Sequence, residues 1–264
     1  MVKLKPHRFM NGAPVLYDRE IDEYAHRVLM DYNPELLREP GTIDFTHFLE
    51  TYVGARLMYE DIYYEDGDTP TLALSTFESG NVRVFDEDDE SVRRVFVRSR
   101  SVVLDNALTK PGKESLALFT GLHEAGHLLI HWNAMTGEDY DEDGGADEIE
   151  DDEYESDAIV CCRRENIESF GSGKPQRAPE DWLEHHADYF AAAIAMPNNT
   201  FIPFVKRIMR ENGYFKGAIT VGADDDLDIL ADDIIPDAIR EVFGVSKRAA
   251  RIKLRKTQLV LRRL

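Results

Sequence analysis

Two histidines four residues apart, with a glutamate beside the first, define a spacing that can do chemistry. His123-Glu124-Ala125-Gly126-His127 reads H-E-x-x-H inside an apolar, helix-periodic stretch that runs from Leu116, Phe119 and Leu122 through Leu129 and Ile130. On a helix, positions i and i+4 share a face, so His123 and His127 offer two imidazoles to one ion. Glu124 lies about 100° round the helix from His123, toward the side where an attacking water would stand. Two nitrogen ligands and a carboxylate base are what a zinc hydrolase needs.

A zinc site requires a third protein ligand. The metzincin extension would place Gly at 130 and His at 133, but the chain has Ile130 and Asn133. His131 is one turn past His127, about 6 Å along the axis, too far to share the ligand sphere of an ideal helix. The stronger candidate lies downstream, in Trp182-Leu183-Glu184-His185-His186-Ala187-Asp188-Tyr189-Phe190-Ala191. Glu184 and Asp188 again stand at i and i+4. Glu184 can bind the metal, and Asp188 can hold the far nitrogen of a liganding histidine and fix its tautomer. This is the logic of a gluzincin. His185 and His186 are the rival third ligands. His131, His185, His186 and Tyr189 are the candidates for stabilising an oxyanion.

These pieces together resemble the ImmA/IrrE family of zinc metallopeptidases. The likeness rests on H-E-x-G-H from His123, on the stretch from Glu184 through Ala187, Asp188, Phe190 and Ala191 to Met196-Pro197, and more weakly on Phe243-Gly244-Val245-Ser246. It spans most of the chain from about residue 18. What it implies is an α+β, zincin-like fold with a small sheet and a metal-bearing helix. It also implies a cytoplasmic endopeptidase that cleaves a helix-turn-helix repressor and so derepresses mobile-element or stress genes. In that reading His123, His127 and Glu184 hold zinc, Glu124 is the general base and later the proton donor, and Asp188 orients a ligand. The rival reading is a DNA-binding or protein-binding transcriptional regulator that keeps the metal site as a sensor or relic.

Composition narrows the classes. At 264 residues with 43% hydrophobic content, the chain can build an ample core, and its net charge of −20 disfavours non-specific nucleic-acid binding. Two adjacent cysteines, Cys161-Cys162, rule out a disulfide framework and fit a reducing compartment, with core packing as their default role. The first ten residues lack an apolar signal core, and no run of eighteen apolar residues occurs, so a membrane span is not expected.

The elements that must position the motif follow in order. Residues 1–17 read as an irregular lead-in, and residues 18–200 as the metallopeptidase domain. Asp18 is the expected N-cap of a helix with an apolar stripe of Ile21, Tyr24, Ala25, Val28 and Leu29. A second helix is expected after Thr42, carrying Phe45, Phe48, Leu49, Tyr52 and Val53 to a stop at Gly54. Short β-branched or aromatic runs at 56–59, 71–77, 82–85, 95–97 and 102–104 predict a small, mainly antiparallel sheet ahead of the metal helix. Its turns are expected at Asp66-Gly67-Asp68, Gly80-Asn81 and 86–90. In zincins the edge of such a sheet holds the substrate backbone. Gly121 and Gly126 inside the metal helix each cost about 1 kcal/mol relative to Ala, which is explained either by close approach or by simple tolerance. Pro179 opens the second motif helix and Pro197 stops it.

Residues 201–264 read as a helical C-terminal module. From Pro236 the pattern resembles a helix-turn-helix, and residues 245–264 hold eight Lys or Arg and no acid. DNA binding through 236–264 is the sharp reading. The overall negative charge and Arg240, where such motifs carry a small residue, favour a packing or substrate-docking role instead.

Between the two metal motifs, thirteen of the twenty residues in 138–157 are Asp or Glu. Asp139, Asp141, Asp143, Gly144 and Glu150 match a calcium-loop pattern, which an acid-rich run meets easily, and Ala146 stands where a branched apolar residue is usual. A solvated insertion is the favoured reading, with electrostatic recruitment of a basic substrate as the alternative. Replacing 138–157 with a short Gly/Ser linker should therefore leave the melting temperature nearly unchanged, whereas a large drop would show the segment to be built into the fold.

Overall fold

A computed structural model describes residues 1–4, 8–10, 13–65, 70–86, 88–137, 159–163, 179–222 and 224–262, with backbone alone at 10, 13, 159–163 and 179–180. The acidic run with its calcium-loop pattern and the turn expected at Asp66-Gly67-Asp68 lie outside the described residues. The architecture is α+β.

The lead-in is more ordered than its sequence indicates. Strand β1 (Phe9–Met10) pairs antiparallel with β2 (Ala13–Pro14), and Leu16 is buried in the main core. Helix α1 (Asp18–Tyr32) buries the stripe expected of it. Its N-cap is Tyr17 rather than Asp18, because Glu20 accepts the Tyr17 amide hydrogen at 2.8 Å. The Asp18 carboxylate turns instead to His185 at 2.8 Å and Lys256 at 3.2 Å, two partners worth more to an anion than one amide.

The second helix also departs from expectation. Asp44 caps α2 (Phe45–His47) by accepting from the Thr46 and His47 amides, but the next turn, Phe48–Val53, is π-helical. Gly54, at φ 70°, ends it in the left-handed region. The wider turn stacks Phe48 on Tyr52, with ring centres 5.4 Å apart.

Strands β3 (Arg56–Glu60), β4 (Thr71–Thr76) and β7 (Ser101–Asp105) form a sheet with β8 (Ile159–Arg163), in the order β3-β7-β4-β8. β3 and β7 run parallel, and the other pairs antiparallel. The sheet is not wholly ahead of the metal helix, since β8 follows it and forms one edge. β5 (Gly80–Asp86) and β6 (Ser91–Val97) make a separate hairpin. Gly80-Asn81, expected as a turn, opens β5 opposite Val97 and Phe96. The inward alternation of Val82, Val84 and Val97 sets this register and carries the pairing back to Gly80.

Helix α3 (Glu114–Thr136) is buried on every side from Ala117 to Trp132, as a central helix must be. It packs on β4 and on α4 (Pro179–Ala195), whose residues Ala187, Phe190, Ala191 and Ile194 are buried. α1 covers α4, with Tyr24 and Phe190 ring centres 5.8 Å apart. Helix α5 (Asn198–Glu211) carries Phe201 and Phe204 against Phe243. α6 (Asp225–Ile229) continues through a π-helical turn into α7 (Ile235–Phe243), and α8 (Lys247–Lys256) is capped by Ser246. A parallel pair, β9 (Ile219–Val221) and β10 (Val260–Arg262), closes the chain. One core cluster runs from Leu16 to Val260 through all these helices. No described helix is long and apolar enough to cross a membrane.

The glycines of α3 answer to close approach. A Cβ on Gly121 would stand 2.3 Å from the Phe45 ring, and one on Gly126 would stand 3.0 Å from the Ala187 Cα. In an exposed helix Gly→Ala would stabilise by about 1 kcal/mol. Gly126→Ala should instead destabilise by about 1–3 kcal/mol, read from the denaturant midpoint, because the obstacle is the backbone of α4.

Candidate metal centre

Burial of α3 fixes which way its histidines point. The Nε2 atoms of His123 and His127 come within 2.9 Å of each other. α4 brings Glu184 to them, with Oε2 3.4 Å from His123 Nε2 and Oε1 3.6 Å from His127 Nε2. Tetrahedral zinc with bonds of about 2.0–2.1 Å sets its ligand atoms roughly 3.3 Å apart. The three donors fit such an ion, and they are the one His/Cys/Asp/Glu group of that kind among the described residues. Both imidazoles are fully buried, while the Glu184 side chain is 24% exposed, so the open approach is from the α4 side.

Asp188 Oδ1 stands 2.9 Å from His123 Nδ1. Burial pushes the Asp188 carboxyl up, against the pull of the His123 hydrogen bond. The bond leaves Nε2 of His123 facing the metal position. Burial is also the main reason His127 is pushed down to about 3, with the His123 imidazole adding to it. A neutral imidazole is the form a metal binds.

Glu124 is fully buried on the same helix, and the Ser75 hydroxyl of β4 donates to its Oε2. Ser75 escaped the sequence reading, because a serine in a strand carries no local sign of what lies across from it.

The rival ligands go elsewhere. His185 Nε2 is bound to Asp18, and the Tyr189 hydroxyl donates to Asp22 at 3.1 Å. His131 Nδ1 stands 3.1 Å from His127 Nδ1, and its Nε2 stands 3.3 Å from His186 Nδ1. His186 Nε2 in turn accepts the Leu16 amide hydrogen at 3.2 Å. His131 is therefore too far along the helix to be a ligand, yet well placed to hold one. The i,i+4 step from His127 to His131 was the available signal for that. Of the four oxyanion candidates, His131 reaches the metal group only through His127 Nδ1, while the described hydrogen bonds of His185, His186 and Tyr189 lead to Asp18, to Leu16 and His131, and to Asp22.

An α+β protein with a buried two-histidine, one-carboxylate group able to hold a metal ion is the class that fold and site define. No family model matches the sequence, and no curated protein matches it. Among solved structures, a Mycobacterium tuberculosis transcriptional regulator is similar at a TM-score of 0.41 and 13% identity, over 89% of this chain and 46% of that one. The chain thus spans about half the length of that protein.

His123→Ala, His127→Ala and Glu184→Ala should each abolish stoichiometric metal binding. Asp188→Asn should keep the site but weaken it by about 10–100-fold, measured by competition with a chromophoric chelator. Full metal in Glu184→Ala would remove Glu184 from the centre.

Proposed function

We propose that the chain is a zinc-dependent endopeptidase of the ImmA/IrrE kind, acting on a helix-turn-helix repressor. The observation that carries this reading is the His123, His127 and Glu184 donor set together with a buried carboxylate on the same helix as the histidines, Glu124, to which the Ser75 hydroxyl donates. The donor set of two imidazoles and one carboxylate suits zinc, being the three protein ligands of a catalytic centre. Bound zinc supplies Lewis acidity to the scissile carbonyl and acidifies the attacking water. The remaining work belongs to the chain. Glu124 takes the proton from the water and returns it to the leaving amine. Ser75 holds the Glu124 carboxylate in place by donating to it. Asp188 keeps the hydrogen of His123 on Nδ1. The exposed edge of Glu184 leaves a side for an extended peptide, and a sheet edge offers it backbone pairing.

The basic C-terminal helix supports docking or packing over groove reading. Lys253 is buried 4.0 Å from Asp22, Lys256 binds Asp18, and Lys247 binds both Asp233 and Asp237. Arg251 donates to the Asp232 carbonyl. A recognition helix needs such groups turned outward.

Glu124→Gln keeps size and polarity but cannot accept the proton. Zinc content and folding should survive, while cleavage of a candidate repressor should fall by roughly two to four orders of magnitude, read on a gel beside wild type. Equal cleavage by both proteins would take Glu124 out of the reaction. Binding without cleavage, or a shift of operator DNA by both, would replace the peptidase reading with a regulator.

A further inference from the structure

The ladder of imidazoles continues past the metal group and ends on a backbone amide. The contacts run Leu16 N to His186 Nε2, His186 Nδ1 to His131 Nε2, and His131 Nδ1 to His127 Nδ1, all of them buried. Each neutral imidazole carries one N–H, and a backbone amide can only donate.

Hydrogen counting along this ladder depends on the metal. A metal on Nε2 of His127 leaves that residue's hydrogen on Nδ1, facing His131. Three contacts must then hold four hydrogens, one each from Leu16, His186, His131 and His127, so one contact sets donor against donor. Without a metal, the hydrogen of His127 can sit on Nε2 and donate to His123, whose own hydrogen goes to Asp188. The ladder then has five contacts and five hydrogens, and every contact is satisfied. No residue changes charge between the two counts. All three imidazoles of His127, His131 and His186 are fully buried, which favours their uncharged forms.

The surplus donor settles where the least must move. His131 and His186 stand on α3 and α4, which meet backbone to backbone at Gly126 and Ala187. Leu16 stands at the joint between the β1–β2 hairpin and α1. Shifting the lead-in leaves the helix contact intact, whereas parting His131 from His186 does not.

We propose that His131 and His186 are positioning residues for His127 that relay its metal state to Leu16, so that a bound metal loosens the seat of the N-terminal lead-in. The proposal rests on the metal reading of the centre and is independent of peptidase activity. By linkage, holding the lead-in in place weakens metal binding by the same factor.

The test uses the full chain, zinc-loaded and after chelation, with two readouts. Imidazole nitrogen shifts report which His186 nitrogen carries hydrogen, and amide exchange reports the seat of Leu16. Zinc should move the His186 hydrogen from Nδ1 to Nε2 and speed exchange at Leu16 on the order of tenfold. In His131→Phe the ladder is cut, so zinc should still bind and leave Leu16 exchange unchanged. Stoichiometric zinc with no change at His186 or Leu16 in the wild type overturns the proposal alone. A chain that takes up no zinc overturns the reading of the centre, and the proposal with it. The wild-type comparison decides the matter if His131→Phe does not fold.

Discussion

The site depends on one contact between two backbones. Gly126 on α3 leaves room for the Cα and carbonyl of Ala187 on α4, at distances where a side chain would not fit. That closeness places Glu184 of one helix within 3.6 Å of the imidazoles of the other. Helix pairs with ordinary side chains between them sit about 8–10 Å apart, axis to axis. The small residues at this crossing allow the closest packing, and the alanines that follow Ala187 continue it. Because α3 is enclosed on all sides, neither helix can roll to turn its ligands away.

Enclosure has an electrostatic consequence. Four imidazoles and two carboxylates, Glu124 and Asp188, are buried around the metal position. Isolated, each would cost several kcal/mol in charged form. The histidines meet this by hydrogen-bonding in sequence, and the carboxylates by accepting from Ser75 and His123. A second polar network holds the outer face of α4. Asp22 accepts from Tyr189 and Asn198 and neighbours Lys253, while Asp18 bridges His185 and Lys256. Burial pushes Lys253 down to about 8, and Asp22 and Asp18 pull the other way. His185 and Tyr189, which by type and position looked like chemistry, serve this network.

Much of this was legible in the sequence, for reasons that can be named. Ligand spacing is a property of a single helix, so His123 and His127 could be read directly, as could Glu184 with Asp188. Strand alternation located five strands, and Gly54 ended the second helical segment. The rest depends on groups distant in sequence. Ser75 meets Glu124 across forty-nine residues, and Leu16 meets His186 across one hundred and seventy. Neither leaves a local pattern. The π-helical turn at Phe48–Val53 was invisible because its apolar spacing also fits an ordinary helix. Tyr17 displaced Asp18 as cap because Asp18 had partners 167 and 238 residues away.

The long reach of these pairings sets an order of assembly. Chains are synthesised at roughly 5–20 residues per second and leave the ribosome N-terminus first. His123 and His127 therefore wait seconds for Glu184, and α1 waits longer still for Lys253 and Lys256. Two histidines alone make a weak metal site, and α3, buried all round in the finished fold, depends on packing that comes only with its cover. Contacts so distant in sequence also close slowly. The full donor set of His123, His127 and Glu184 therefore exists only once α4 has been made.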